Sequence, residues 1–573
     1  MRAPTCAIER LEMRQLLAFG ITTVGNTFVV DNGAQVTFAV DKTTGDLVSI
    51  KRSGTELTAP HSLTNRYSHV DSGFGSATVT SQVSGTSWAK VTVTSGTITH
   101  YYISRAGFND VVMATRDTAS GATGGELRFI TYLNRSIFTN HNAASDINGK
   151  TAIEGSDVFA SNGITASKFY SGKQFINDSF HGITGGGFGV WMMTPNRESS
   201  SGGPFFKDIN EQGTSAAIEV YNYMFSGHTQ TEAYRPQLNI YGLEINTGAN
   251  PVPIDFSFLS GLGLTGYVAA SGRGTVSGTI SGNLNGQAAT VGLANSTGQY
   301  WAKASGSSFS VTGVKPGTYT QTLYMGEKAV GSKSVTVSAG ATATSNIAST
   351  WAPPSAQWTI GTWDGTPNGF KNASLIQTMH PSDSRMSAWT PTTFTVGSSS
   401  TSSFPLAQWK TGVNSPTKIN FNLSSVTGST YTLRIGITLA FAGGRPVITV
   451  NPGTSQAWTS PTPPISTQPD SRGITRGVYR GNNTTFAYNI PATALHTGTN
   501  TIQIDVASGS SGTTYLSPNF VFDALDFSAG TVAPQSLTAA APPPSASPHG
   551  TNFSNVRMIQ LLNPDDPVLK SLV

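Results

Sequence analysis

Short runs of alternating polar and apolar residues, separated by glycine-containing turns, dominate this chain. The runs at residues 28–41, FVVDNGAQVTFAVD, and 77–96, ATVTSQVSGTSWAKVTVTSG, place many apolar side chains at alternating positions and contain Asn-Gly and Ser-Gly steps. This period is typical of β-strands with one buried face, and such dipeptides favour tight turns. Charged residues make up only 11% of the chain and glycine fills 62 positions, which disfavours long amphipathic helices. The sequence therefore predicts an all-β protein.

The chain is long enough for several hydrophobic cores, because its 573 residues exceed what one core usually serves. A Pro316-Gly317 turn lies within a segment whose size suits a small sandwich. The pattern predicts a large antiparallel β-sandwich at 18–266, a fibronectin III or immunoglobulin-like β-sandwich at 267–346, a linker at 347–357 and a β jelly-roll at 358–528.

The two ends of the chain differ from these segments. Residues 1–17 lead into LLAF, an apolar run too short for a secretory signal, so we interpret them as a defective or misassigned signal region. Residues 529–573 begin with a stretch rich in Pro, Ala and Ser, and they are predicted to remain unfolded.

Composition and motifs exclude several classes of function. No run of eighteen apolar residues occurs, and a net charge of +4 comes without a Lys/Arg block, so we expect neither a membrane span nor nucleic-acid binding. Cys6 is the single cysteine, which rules out an intramolecular disulfide and a thiolate metal cluster. The chain lacks a zinc-binding helix motif, an EF-hand, a serine-hydrolase elbow and a P-loop. No metal or cofactor is predicted, although calcium binding by an isolated loop stays open.

Two basic residues and a row of aromatic residues are the first candidates for chemistry. Arg128 lies between Leu127 and Phe129, so on a strand it would point away from the apolar face. Taken alone, Arg128 and Lys168 are typical of solvated or ion-paired surface residues. In YNYMFSGH, the aromatic residues Tyr221, Tyr223 and Phe225 alternate as along one face of a strand, and a turn then leads to His228. The aromatic face is either a packed core or the floor of a site.

Two carboxylates offer a different chemistry. Glu154 and Asp157, in AIEGSDVF, have the residue types of an acid pair for glycoside hydrolysis. Carboxylates three residues apart are also common in turns and caps. Both interpretations remain open from the residues alone.

Many segments in a fixed order resemble one known family. They include GELRFI, TAIEGSDVF, SKFYS, YMFSGH, TEAYR, HPSDSRMS, FAGGRP and SGSSGTTYLSPNF, within residues 18–527. This succession is similar to that of the fungal-type rhamnogalacturonan lyases of polysaccharide lyase family 4. The resemblance implies an extracellular, endo-acting enzyme that cleaves the rhamnose–galacturonate linkage of rhamnogalacturonan I by β-elimination. It also implies an active site on the first domain and a carbohydrate-binding-type third domain. We expect a monomer that needs no cofactor.

The resemblance also assigns roles to individual residues. Lys168 matches the family's base, His228 its acid and Arg128 the arginine near the uronate carboxylate, while Tyr221 and Tyr223 match its two active-site tyrosines. An ordinary lysine has a pKa of about 10.4 and is almost wholly charged at pH 7, so a catalytic lysine needs partial burial or a nearby cation to lose its proton. A histidine acid favours mildly acidic conditions. A tyrosine base is the rival assignment, but a phenol is equally short of its basic form.

A third group of basic residues lies in DSRGITRGVYRG, where arginines recur every four residues at Arg472, Arg476 and Arg480. We expect Arg472 and Arg476 to help bind the polyanionic substrate, unless the loop pairs with its own Asp470. Two other functions remain possible from the sequence: a non-catalytic carbohydrate-binding protein on the same scaffold, and a hydrolase that uses Glu154 or Asp157.

Overall fold

The computed structural model confirms the all-β prediction. It describes residues 19–61, 64–119, 126–226, 232–248, 250–353, 355–465, 473–481 and 483–532. Within these ranges, strands are joined by loops and by 3-10 helices of three or four residues. None of the described helices has the length and apolarity that a membrane crossing would require. The segment 1–17, residues 533–573 of the predicted tail, His228, Asp470 and Arg472 lie outside the described residues.

The first domain contains nineteen of the described strands, and every pairing among them is antiparallel. Its main sheet has the order β15-β16-β19-β10-β9-β8-β7, and smaller sheets have the orders β1-β2-β3-β4-β5, β17-β18-β11-β6 and β12-β13-β14. The strands are β1 Gly20–Val24, β2 Thr27–Asp31, β3 Val36–Asp41, β4 Leu47–Arg52, β5 Thr55–Glu56, β6 His69–Val70, β7 Thr78–Ser84, β8 Trp88–Ser95, β9 Ile98–Arg105, β10 Asp110–Asp117, β11 Leu127–Asn134, β12 Thr151–Glu154, β13 Val158–Ser161, β14 Ile164–Ala166, β15 Phe180–Gly185, β16 Phe188–Met193, β17 Glu211–Gly213, β18 Ala217–Phe225 and β19 Asn239–Asn246.

One hydrophobic core joins the three larger sheets of this domain. Alternate residues of each sheet meet there, for example Phe38 of β3, Tyr102 of β9 and Phe129 of β11, and all are buried. The period of two that is visible in the sequence is thus the alternation between this core and the opposite faces. The sheet β17-β18-β11-β6 therefore has one face in the core and a second face available for other uses.

The second domain is a small sandwich of two four-stranded sheets, with the orders β23-β20-β26, to which β27 adds beside β20, and β22-β21-β24-β25. Its core contains Val291, Tyr319 and Leu323. The strands are β20 Gly274–Ser281, β21 Ala289–Asn295, β22 Gly298–Lys303, β23 Ser308–Val314, β24 Gly317–Met325, β25 Lys328–Val337, β26 Thr342–Thr344 and β27 Ile347–Ala348.

The third domain packs two five-stranded sheets around one core that contains Ile419, Leu433 and Phe527, as expected of a jelly-roll. One sheet has the order β28-β37-β32-β35, with β30 beside β37, and the other has the order β29-β31-β36-β33-β34. The strands are β28 Ala356–Gly361, β29 Thr392–Thr395, β30 Ala407–Trp409, β31 Thr417–Leu423, β32 Thr430–Phe441, β33 Arg445–Val450, β34 Trp458–Thr459, β35 Thr484–Pro491, β36 Gly498–Ala507 and β37 Asn519–Ala529.

Short 3-10 helices lie between strands in all three domains. They are found at Ala143–Ser145, Lys168–Ser171, Phe175–Asn177, Ser257–Leu259, Ala270–Gly272, Thr401–Ser403, Gly473–Arg476, Ala492–Ala494 and Thr514–Leu516.

Polar contacts join the domains in pairs. Glu198 of the first domain forms ion pairs with Arg273 at 2.6 Å and Lys315 at 3.1 Å in the second. Thr165 of β14 donates its backbone N–H and its hydroxyl to Asp383 of the third domain, both at 2.7 Å. The third domain is thereby docked directly against the strands that lead to Lys168.

A buried ion pair crosses one sheet of the third domain, from Arg434 on β32 to Asp526 on β37. Both residues are 1% exposed, with two guanidinium–carboxylate contacts at 3.0 and 2.5 Å. The indole N–H of Trp363 donates to the same carboxylate at 2.9 Å. Such a pair is costly to break on one side only, because the remaining charge stays buried.

We expect Asp526→Ala to lower the free energy of unfolding of the third domain by about 3 to 5 kcal/mol, because Arg434 loses its counter-charge. Urea unfolding followed by tryptophan fluorescence measures this. The matched control is Asp505→Ala on β36, where the half-exposed carboxylate only accepts a bond from Gln503, and its cost should stay within about 1 kcal/mol. Equal losses of unfolding free energy in the two variants would contradict this prediction.

Candidate active site

The sheet β17-β18-β11-β6 presents the predicted residues on its outer face. The register pairs Arg128 with Tyr223 and Ile130 with Tyr221. Leu127 and Phe129 point to the other face and lie in the core. The prediction that Arg128 points away from the apolar face is confirmed.

A β-bulge ends this register. Leu127 pairs with Phe225 although Arg128 pairs with Tyr223, so Met224 is the extra residue of β18. Phe225 consequently packs against the core of the first domain. The prediction that Phe225 shares a face with the two tyrosines is wrong, because a bulge interrupts the alternation of side chains.

Arg128 is held as a cation on this face. Its guanidinium donates to the hydroxyl of Tyr223 at 2.7 Å and forms an ion pair with Glu126 at 2.9 Å. Burial alone would lower the pKa of Arg128, but the hydrogen bond to Tyr223 and the carboxylate of Glu126 oppose burial, and the pKa is raised. The side chain keeps 19% exposure, so a fixed positive charge with partial access to solvent lies at this position.

The two tyrosines are buried, yet both hydroxyls are engaged by polar groups. Tyr221 and Tyr223 are 4% and 2% exposed, and their rings stack with centroids 5.7 Å apart. The hydroxyl of Tyr221 donates to the carboxylate of Glu219. Burial raises the pKa of both phenols well above the ordinary value, so both stay neutral. Their neutrality weighs against a tyrosine base.

Glu219 is a central residue of this face that the sequence analysis missed. It lies on β18 two residues before Tyr221 and is 5% exposed. Burial raises its pKa, while Tyr221, His61, Lys168 and Arg128 oppose the rise. The Glu219 carboxylate therefore lies in the electrostatic field of both predicted cationic residues. A glutamate inside the apolar strand AIEVYNYMF was the signal that could have identified it.

Lys168 begins the 3-10 helix Lys168–Ser171, whose N-cap Ser167 accepts the N–H of Phe169. Its Nζ lies 3.8 Å from Oδ1 of Asp157, and its side chain is 21% exposed. Phe169 and Tyr170, the next two residues, belong to the hydrophobic cluster that contains Tyr221 and Tyr223. The helix therefore anchors Lys168 beside the tyrosine face.

Arg476 reaches the same place from the third domain. Its Nη2 lies 2.6 Å from Oδ2 of Asp157, its Nε lies 3.8 Å from Glu154, and its guanidinium carbon lies 5.0 Å from the centre of the Phe169 ring. The side chain is 17% exposed, so Arg476 is an ion-paired residue at a domain junction. Its predicted contact with substrate stays a prediction. Arg480 instead approaches Glu327 of the second domain, with Nε 3.6 Å from the carboxylate.

The proposed acid pair for hydrolysis is occupied by other contacts. Glu154 is 3% exposed and lies between His380, at 3.5 Å, and Arg476. Asp157 is shared by Lys168 and Arg476. Both carboxylates therefore belong to the junction between the first and third domains, an arrangement unlike two carboxyl groups facing each other across a sugar.

A buried polar network supports the backbone of β18. His181 donates from Nε2 to the carbonyl of Tyr221 at 2.7 Å, and Arg197 donates to the carbonyl of Tyr223 at 3.2 Å. Asp178 joins His181 and Arg197 through its two oxygens. Burial opposes ionisation of Asp178, but His181 and Arg197 lower its pKa below the ordinary value. These bonds fix the backbone that carries both tyrosines.

The structure thus brings together four predicted residues, Arg128, Lys168, Tyr221 and Tyr223. The roles of His228 and Arg472 stay predictions, because both residues lie outside the described ranges. Among the described residues, no group of three His, Cys, Asp or Glu side chains has the spacing of a metal site.

Comparisons with known proteins relate all three domains of this chain to one family. The family described as "Rhamnogalacturonan lyase B, N-terminal" matches residues 19–266. Domains II and III of polysaccharide lyase family 4 match residues 272–345 and 356–527. Rhamnogalacturonate lyase A of Aspergillus aculeatus is 46% identical over 517 residues, covering 89% of this chain and 96% of the relative. The enzyme of the same name from Emericella nidulans is 45% identical with the same coverage of both chains.

His69 of β6 makes the sheet β17-β18-β11-β6 sensitive to acid. It is 4% exposed, and burial, with Arg128, Arg66 and His61 acting in the same direction, lowers its pKa to about 4. Because the folded protein holds His69 neutral, the contribution of this residue to the free energy of unfolding is fully present above pH 6.5. It is lost as the pH falls towards 4.

We expect wild-type protein to lose about 3 kcal/mol more unfolding free energy than His69→Gln between pH 6.5 and 4, because glutamine does not titrate. Urea unfolding at a series of pH values measures both proteins, and the comparison at pH 7 supplies the pH-independent cost of the substitution. Parallel pH profiles would contradict the prediction.

Proposed function

This chain belongs to polysaccharide lyase family 4, and we propose that it cleaves the rhamnose–galacturonate linkage of the rhamnogalacturonan I backbone by β-elimination, acting within the polymer. The observation that carries the proposal is that Arg128 donates to Tyr223 while the 3-10 helix that begins with Lys168 packs in the same cluster as both tyrosines. A uronate lyase needs a cation for the carboxylate and a base for the C5 proton, and this face offers both.

Arg128 binds the galacturonate carboxylate in this mechanism. Removal of the C5 proton shifts negative charge onto that carboxylate, and a guanidinium can bind both of its oxygens through parallel N–H bonds. The raised pKa of Arg128 supports this role, because the arginine remains charged throughout the reaction. The hydroxyl of Tyr223, already bonded to Arg128, holds the guanidinium in place.

Lys168 removes the C5 proton and His228 returns a proton to the leaving sugar. The electron pair of the C5–H bond forms the C4–C5 double bond, and the C4–O bond breaks. The departing oxygen takes a proton from His228, so one product carries an unsaturated galacturonate and the other a free hydroxyl. The neutral phenol of Tyr223 is suited to donate a hydrogen bond to the sugar or to the histidine, whereas Tyr221 already donates to Glu219.

The polysaccharide is the partner that this chemistry requires. We expect the enzyme to act as a monomer outside the cell, where its polymeric substrate is found. A non-catalytic binder is the alternative on the same scaffold, and the product separates the two. Only elimination creates a conjugated double bond that absorbs ultraviolet light. A hydrolase is disfavoured, because Glu154 and Asp157 are engaged by Arg476.

We predict that Lys168→Ala and His228→Ala each lower kcat at least about 100-fold, because a general base or acid is lost. The assay follows the ultraviolet absorbance of unsaturated product from rhamnogalacturonan, and circular dichroism checks folding. Lys173→Ala is the matched control, since Lys173 is an exposed lysine five residues further on and should keep full activity. Near-normal activity of either variant would refute the assignment. Polymer binding without product from the wild type would favour the binder.

Arg128→Lys should lower kcat/KM about 100-fold, because an ammonium keeps the charge but cannot bind both carboxylate oxygens in a fixed plane. Arg135→Lys provides the control. Arg135 follows β11 directly and forms an ion pair with Asp146 at 2.6 Å, away from the tyrosines. If both variants retained equal activity, the carboxylate would not be bound by Arg128.

A further inference from the structure

The carboxylate of Asp157 is divided between two cations from different domains. Oδ1 lies 3.8 Å from Nζ of Lys168, whereas Oδ2 lies 2.6 Å from Nη2 of Arg476. The second contact is a short charge-assisted hydrogen bond, and the first is a longer ion pair. Asp157 therefore interacts more strongly with the arginine of the third domain than with the lysine of its own.

We propose that Arg476 is a positioning residue for the elimination: by binding Asp157, it weakens the attraction of that carboxylate for the Lys168 ammonium, so that Lys168 can act as a base. The inference rests on the proposed role of Lys168. The proposal gives the third domain a part in the chemistry, because without Arg476 the Asp157 carboxylate would interact with Lys168 alone. It also differs from substrate binding by Arg476, since here the arginine acts through Asp157.

The position of Arg476 is fixed by the chain on either side of it. The hydroxyl of Tyr170 donates to the carbonyl of Thr475 at 2.6 Å, and Lys207 donates to the carbonyls of Gln377 at 2.7 Å and Gly477 at 3.3 Å. Gly477 has a φ of +71°, and a side chain there would come within 2.6 Å of the Gln377 carbonyl and 2.9 Å of the Tyr170 ring. This segment is packed too closely against the first domain for Arg476 to move freely.

The other charged groups around Lys168 have partners of their own. Glu219 accepts the Tyr221 hydroxyl and has His61 at 4.0 Å, and Arg128 is paired with Glu126. Glu154 faces both His380 and Arg476. Among the described residues, Asp157 is the carboxylate within ion-pair distance of Lys168, so the arginine acts mainly through this one group.

The test is the pH profile of the full-length enzyme. In Arg476→Gln, Asp157 should bind the Lys168 ammonium more tightly. We expect kcat at neutral pH to fall about 10-fold while KM stays within about threefold. The acidic limb of the profile of kcat against pH should shift to higher pH by about one unit. Arg476→Lys, which keeps the charge, should restore part of the activity. Product absorbance from rhamnogalacturonan measures all these quantities.

A double-mutant cycle with Asp157→Asn tests whether Arg476 acts on Lys168 through the Asp157 carboxylate. Asp157→Asn alone should move the acidic limb to lower pH. In that background, Arg476→Gln should cause at most a small part of the shift that it causes in the wild type. Lys410→Gln is the control, because Lys410 is an exposed cation of the same domain that donates to the carbonyl of Ser508, at 2.9 Å. It should leave the profile unchanged.

The outcomes separate the inference from the proposed function. An absence of unsaturated product from the wild type would refute the function itself, and near-normal activity of Lys168→Ala would refute the base on which the inference rests. If Lys168→Ala is inactive while Arg476→Gln behaves like Lys410→Gln, the inference alone is wrong. A raised KM with unchanged kcat and an unshifted limb would assign Arg476 to substrate binding and also overturn the inference. If Arg476→Gln does not fold, Asp157→Asn decides, because an unmoved limb in that variant contradicts the proposal.

Discussion

The pairing of β11 with β18 is the constraint on which this site depends. Because side chains alternate across a strand, one register sends Phe129 and Val220 into the core and Arg128 and Tyr221 to the opposite face. A slip of one residue would exchange these sets. The core of the first domain therefore also specifies the site, and the bulge at Met224 marks where the tyrosine row ends.

Burying charged groups next to β18 has a cost that the surrounding contacts offset. Glu219 and Asp178 are both nearly inaccessible, and each is bonded to a phenol, an imidazole or a guanidinium. Removing one member would leave the others desolvated without a partner. Such networks are rigid, and rigidity holds a cation and a base in fixed positions before substrate arrives. The same contacts thus contribute to folding and to the proposed chemistry.

Sequence analysis predicted the all-β architecture and the outward direction of Arg128, because both follow from the period of two. It placed Phe225 on the wrong face, since a bulge adds one residue without a mark in the local pattern. It also missed Glu219, the buried carboxylate that accepts the Tyr221 hydroxyl. A single charged residue in an apolar strand is visible in the sequence, but its neighbours are decided by strand pairing.

Residue order alone determined the all-β class, the outward direction of Arg128 and the family to which the chain belongs, because these depend on local alternation and on the succession of many short motifs. Only the tertiary structure decided that Arg476 meets Asp157, across more than three hundred positions of sequence. Ion pairs of this kind depend on how whole domains dock, through contacts such as Tyr170 with Thr475. No local pattern encodes that distance, since it results from the packing of two separately formed cores.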